Sequence, residues 1–101
     1  MLQYKQYMNP DGTPGGWVEK TARVYDSFLA TTVVVGANSR IERSSLHAGV
    51  IVGDHCVIED AVVDRDVLVD DSCLIRGVYV EEETHVLEAT HWDVNDLSLT
   101  E

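Results

Sequence analysis

Shifted by 17 residues, this sequence lies on itself. Val18, Val35, Val52, Val69 and Val86 fall in one column. Val24, Ile41, Ile58, Ile75 and Trp92 fall in a second, and Leu29, Leu46, Val63 and Val80 in a third. Four residues after each column comes a companion set. Ala22, Ser39, Cys56, Cys73 and Thr90 follow the first; Phe28, Ser45, Val62 and Tyr79 the second; Val33, Val50, Val67 and Thr84 the third. A single column of valines could arise by chance in a Val-rich chain. Six columns in register over four copies could not easily do so.

Each 17-residue unit therefore splits into faces of six, five and six residues. Every face opens on a large apolar residue and carries a second inward position four residues later. No helical segment separates the candidate strands, which excludes a chain of βαβ units. The pattern predicts an all-β, single-domain triangular solenoid. Each short strand pairs in parallel with its copy one coil on, about 4.8 Å away. Three parallel sheets then wrap one stacked aliphatic core. About five coils are expected over residues 18–91, with an N-terminal cap at 1–17 and a C-terminal cap at 92–101. Open strand edges at both ends need cover. In the first cap Tyr4, Tyr7, Met8 and Trp17 are expected to pack over the first coil, beside the turn-rich stretch "NPDGTPGG".

The formal net charge is −11. Such a surface repels phosphate backbones and anionic bilayers, so nucleic acid and membrane are not expected as partners. The start, "MLQYKQYMNP", lacks the basic and apolar regions of a secretion signal, which points to the cytoplasm. Cys56 and Cys73 form no metal motif. They share a core column at disulfide-compatible spacing, yet small residues fill that column throughout, so two reduced core thiols are expected.

The outward positions carry two apolar columns on this acidic chain. Val34, Ile51 and Leu68 make one; Val57 and Leu74 make the other. Stacked apolar side chains facing water suggest an oligomer interface. Acidic residues also stack: Asp54 with Asp71, Asp64 with Glu81, and Asp66 with Glu83. Partial internal compensation is expected from the alternation Asp26, Arg43, Asp60 and from Arg76 and Arg65 beside carboxylates. The remaining ridge, with "EEETH" at 81–85, is read as solvated, with a hard cation such as Ca²⁺ as the sharper alternative.

The stretches "VVGANSRI", "VGDHCVIEDA" and "VDDSCLIRG" resemble the hexapeptide repeat of left-handed parallel β-helix proteins: an aliphatic residue, often Gly or Asp, two variable residues, then a small one. The resemblance covers about residues 18 to 90 and supplies the left hand, which the usual crossover rule would not. The five-residue face is closer to the helical domains of nucleotidyltransferases than to the stricter acyltransferases. The lead-in "GGWVEKTARVYDS" looks like the start of some bacterial and phage hexapeptide-repeat proteins. The resemblance implies a homotrimer. It also brings three functional classes into play.

The favoured one is a non-catalytic structural or binding module with no cofactor and no metal. The second is a small acyltransferase-like enzyme using acetyl-CoA at subunit boundaries. There His47, on an outward corner beside small residues, would be the general base, with His55 behind it. The third is a sugar-nucleotide-binding relative of the nucleotidyltransferase helices. Such acyltransferases usually carry a loop that interrupts the coils, and residues 18–85 contain no insertion. The family also includes zinc enzymes with three converging histidines. Here His47, His55, His85 and His91 all occupy different columns. No phosphate-binding glycine loop, nucleophile elbow or paired catalytic carboxylates are present.

Overall fold

The computed structural model describes residues 3–97. A first strand, β1 (Tyr4–Met8), precedes the coils. Coil one is β2 (Pro14–Glu19), β3 (Arg23–Tyr25) and β4 (Phe28–Leu29). Coil two is β5 (Val34–Val35), β6 (Arg40–Glu42) and β7 (Ser45–Leu46); coil three is β8 (Ile51–Val52), β9 (Val57–Glu59) and β10 (Val62–Val63). Coil four is β11 (Leu68–Val69), β12 (Leu74–Arg76) and β13 (Tyr79–Val80). Coil five holds β14 (His85–Val86) and β15 (His91–Asp93), then one helical turn, α1 (Val94–Leu97).

Three sheets result. Face A runs β1-β2-β5-β8-β11-β14, face B runs β15-β12-β9-β6-β3, and face C runs β13-β10-β7-β4. Every pairing between coils is parallel with a 17-residue register: Val35 with Val52, Ile41 with Ile58, Val63 with Val80. The amide of a strand residue donates to a carbonyl of the next coil, as from Val34 to Val50 and from Gly36 to Val52. This is a parallel β-solenoid with one continuous core. Leu29, Val35, Ile41, Leu46, Ile58, Val63 and Ile75 have no solvent exposure. Each such side chain contributes on the order of 1.5–3 kcal/mol by leaving water.

The corners explain the five-residue face. Each turns through a left-handed backbone conformation, and mostly without glycine. Asp26, Arg43, Asp60 and Gly77 stack at the B–C corner with φ of 47, 49, 51 and 72°. Asn38, His55, Ser72 and Ala89 do the same at the A–B corner with φ of 58 to 63°. Their amides are used as well: His55 donates to the Ala37 carbonyl and Asp60 to that of Glu42. The left-handed residue costs about 1–2 kcal/mol where a side chain is present, and the hydrogen bond offsets part of that.

The B–C corner corrects one expected column. Phe28, Val62 and Tyr79 were expected inside but are exposed, and Ser45 is half-buried. The inward positions are one residue earlier, at Ser27, Ser44, Ala61 and Val78. Turning at Asp26 and its equivalents closes this corner one residue sooner than the other two. The column's polar members are satisfied along the axis. Ser44 N–H donates to Ser27 Oγ at 3.1 Å, and Ala61 N–H to Ser44 Oγ at 3.2 Å.

The N-terminal segment is a β-hairpin. β1 pairs antiparallel with β2, covering the free edge of face A. Asn9 holds the hairpin to coil one: its Oδ1 accepts from Leu29 N–H at 2.8 Å and its Nδ2 donates to the Leu29 carbonyl at 3.1 Å. Tyr7 is half-buried and donates to the Ser27 carbonyl at 2.9 Å. Met8 and Trp17 do not pack over the coil as expected; both are exposed. Trp17 sits in β2, paired with Val34, where the alternation of the strand turns it outward. Among the described residues no helix is long and apolar enough to cross a membrane.

Candidate functional site

The core of the middle coils is closed, so chemistry there is confined to the outer surface. On face A the outward column runs Trp17, Val34, Ile51, Leu68 and then His85. Ile51 is 47% exposed and Leu68 40%, while Val34 is half-buried. On face B, Val57 and Leu74 are both half-buried, between Arg40 and His91 in the ladder. They are accompanied by charged neighbours on the same strands. Arg76 reaches Glu59 and Asp93, each at 3.0 Å, and Arg40 reaches Glu42 at 2.8 Å. Face B is thus a largely ionic surface.

Face C carries an apolar column that sequence reasoning missed: Phe28, Val62 and Tyr79 around Ser45. The signal available was Gly77, which marks the early turn at that corner. With Phe28 and Val62 outside, a shallow groove of about 630 Å³ opens beside the B–C corner. Asp26, Arg43 and Asp60 line it, and Pro10 and Asp11 of the hairpin close one end. Arg43 Nε meets Asp60 at 2.7 Å and Arg43 Nη1 meets Glu42 at 3.1 Å. The guanidinium holds the Asp60 carboxyl below the usual carboxylate range. The cation is therefore committed to its own corner.

The C–A corner holds His47. Its side chain is exposed, and its amide donates to the Val63 carbonyl at 3.0 Å. A small hollow of about 170 Å³ lies beside it, walled by Phe28, Ala30, Leu46 and Ala48. One coil on, Asp64 occupies the same corner position. It accepts from the Tyr79 hydroxyl and, at 2.7 Å, from the Arg65 amide. The Tyr79 hydrogen bond is the main reason its carboxyl lies below the usual range, followed by the Arg65 amide, with smaller contributions from His47 and the Arg65 charge. The other histidines stand apart. His55 is a corner residue in left-handed conformation, and His85 Nε2 meets Asp70 Oδ2 at 3.0 Å on face A. His91 ends the face B ladder. Among the described residues no three His, Cys, Asp or Glu side chains group as a metal site would need.

The stacked acids have a structural use. Asp54 Oδ1 accepts from Ala37 N–H at 2.9 Å, and Asp71 Oδ1 accepts from Asp54 N–H at 2.8 Å. Two like charges one coil apart are tolerated because each carboxylate binds an amide of the preceding coil. The thiols follow a parallel rule. Cys56 donates to the Asp70 carbonyl at 3.0 Å and Cys73 to that of Leu87 at 3.1 Å, as Ser39 does to Gly53 at 2.7 Å. Both cysteines are free and buried. Burial pushes the Cys56 thiol up to about 11, so it is a protonated core residue rather than a nucleophile.

Three parallel sheets, a fixed 17-residue register and an aliphatic core stacked along the axis define a hexapeptide-repeat β-helix. Residues 13–95 match the family described as GlmU-like, C-terminal hexapeptide, and the chain belongs to that family. No curated protein matches the chain.

Proposed function

We propose that this chain is a non-catalytic β-helix scaffold that acts as a homotrimer, a structural or binding module whose side faces A and C join neighbouring copies. The observation that carries this reading is the pair of exposed apolar columns on two different faces of an acidic protein. Exposed apolar stacks of this kind are unfavourable in water unless something covers them. A closed ring needs two distinct patches per copy, one for each neighbour, which two columns on separate faces provide. Face B, ionic and with Val57 and Leu74 half-buried, is the poorer interface. The family habit of trimerising supports the number three. The uninterrupted coils support a scaffold over a catalyst.

The test is the mass in solution by light scattering at about 0.5 M salt, where contacts between exposed charges are screened. The expected result is three chains, falling to one in Ile51→Asp and in Leu68→Asp. An unchanged mass in both variants, or a wild-type monomer, would sink the assignment.

A second reading has one observation in its favour: His47 borders a small apolar hollow at the C–A corner, next to Asp64. This suits an acyltransferase-like site in which His47 is the general base and acetyl-CoA the donor. Its first test is a thermal-shift comparison of acetyl-CoA with a sugar nucleotide. A ligand at about 100 times its Kd adds roughly 2.7 kcal/mol. A shift with acetyl-CoA, together with acetyl transfer to an amine or hydroxyl acceptor that is lost in His47→Ala, would favour the enzyme. A shift with the sugar nucleotide alone would favour a ligand-binding relative of the nucleotidyltransferase helices.

A further inference from the structure

Charge is unevenly distributed along the axis. Residues 1–45 hold five of the seven lysines and arginines and four of the 18 carboxylates. Residues 46–101 hold the other two cations and 14 carboxylates. The head of the solenoid also exposes cations that no carboxylate contacts among the described residues. Lys5, Lys20 and Arg23 make no ion pair among the described residues. All three line one hollow of about 330 Å³ between the hairpin and coil one. Tyr7, Val18 and Val24 supply its apolar wall, and Gln6 a neutral polar one. Its single carboxylate, Glu19, is turned into the corner, accepting from the amide and hydroxyl of Thr21.

This end of the core is also incompletely closed. Ala22 and Val24 are half-buried, whereas Cys56, Ile41 and Ile58 in the same columns are sealed. The tail shows the opposite charge with a similar apolar content. Glu81, Glu83 and Glu88 make no ion pair among the described residues, and Leu87 is 61% and Val94 46% exposed among them. Lys20 and Glu88 occupy the same corner of the prism, at its first and its last coil.

We infer that the cationic head of one copy docks on the acidic tail of another, so that the protein associates end to end. The occupant is a second copy of this chain because it supplies both halves of the match: three unpaired cations at one end, lining a hollow with Tyr7, Val18 and Val24, and unpaired carboxylates at the other, on the same last coils that expose Leu87 and Val94. Within the protomer, coils already couple by charge across one repeat, Arg43 to Asp60 at 2.7 Å and Arg65 to Glu82 at 3.1 Å. The head-to-tail contact extends that device between chains. It uses the ends, while lateral assembly uses faces A and C, so the two are separable. A head-to-tail contact does not close on itself and yields open stacks.

Sedimentation velocity of the full chain at a series of concentrations tests this. In about 20 mM salt the weight-average mass should rise with concentration to at least twice its value in about 0.5 M salt, where exposed charges are screened. The charge-reversed head Lys20→Glu/Arg23→Glu should remain at the high-salt mass in both conditions. So should the reversed tail Glu81→Lys/Glu88→Lys. Mixing the two variants should restore growth, because each then meets a complementary end. All substituted side chains are exposed, and circular dichroism verifies the fold. A wild-type mass independent of salt overturns the inference, as does undiminished growth of either variant. The lateral reading is judged separately, by Ile51→Asp at high salt.

Discussion

Coils one and two share a fold with coils three to five, and they hold their corners together with different groups. The corners need an acceptor for an amide of a neighbouring coil. In the early coils hydroxyls supply it: Asn38 N–H donates to Thr21 Oγ1 at 2.9 Å and Gly49 N–H to Thr32 Oγ1 at 2.8 Å. In the later coils the equivalent amides, of His55, Ser72 and Asp66, turn to the carbonyls of Ala37, Asp54 and Ala48, and carboxylates serve the amides one residue before the A–B turn: Asp54 takes that of Ala37 and Asp71 that of Asp54. A hydroxyl leaves the local charge unchanged, whereas a carboxylate adds one negative charge per coil. The architecture requires that each corner amide find an acceptor and leaves the acceptor's identity and charge free. This chain uses that freedom to become strongly acidic toward its tail.

The comparison is tested most severely in the core. Ile58, sealed in the central coil, and Val24, half-buried at the head, are equivalent positions. Ile58→Ala should cost about 2–5 kcal/mol in urea denaturation. Val24→Ala should cost less than half as much, because solvent already reaches the site. Equal losses would mean that the head is as closed as the middle.

A smaller effect concerns charge. Self-repulsion among the later coils is relieved by screening, so the melting temperature should rise by a few degrees between about 0.05 and 0.5 M salt. A melting temperature that falls with salt would show that the ion pairs of face B outweigh the repulsion. Acid should act in the other direction. Asp60 and Asp64 have carboxyls lowered by Arg43 and Tyr79, so their contribution is present above the ordinary carboxylate range. It is lost as the pH falls through their depressed values. Tyr79→Phe should bring the Asp64 titration midpoint, followed by NMR, back up toward the ordinary value.

The smallest expected effect is local. Ala89 holds a left-handed conformation with φ of 63° and no side-chain hydrogen bond to offset it. Ala89→Gly should stabilise by about 1 kcal/mol. No gain would show that backbone freedom lost on folding cancels the relieved strain.

The fold was legible because inward positions recur at fixed intervals, and Val18 through Val86 report one face without ambiguity. The B–C corner was misread by one residue because a chain that turns early leaves no hydrophobic trace. The apolar residue Phe28 sits next to the inward Ser27, and either could fill a column. Only the small series Ser27, Ser44, Ala61 and the glycine at Gly77 mark the shorter corner. The surface was less legible still. Val34, Ile51 and Leu68 stood out by stacking. The face C column stayed hidden behind that one-residue error, and the groove between Arg43, Phe28 and Val62 hid with it. Outward side chains obey no periodicity of their own, so their chemistry enters the pattern only by coincidence of position.

The pairing of every residue with its neighbour 17 positions away has a consequence for how this molecule tolerates change in length. Adding or removing one residue within a coil displaces all later side chains from their faces, and valines meant for the core emerge into water. Adding or removing a whole coil displaces nothing. It changes how far apart the two ends stand and how many steps of negative charge lie between them. The molecule is therefore graduated like a ruler, and the distance it spans can be altered only in whole divisions.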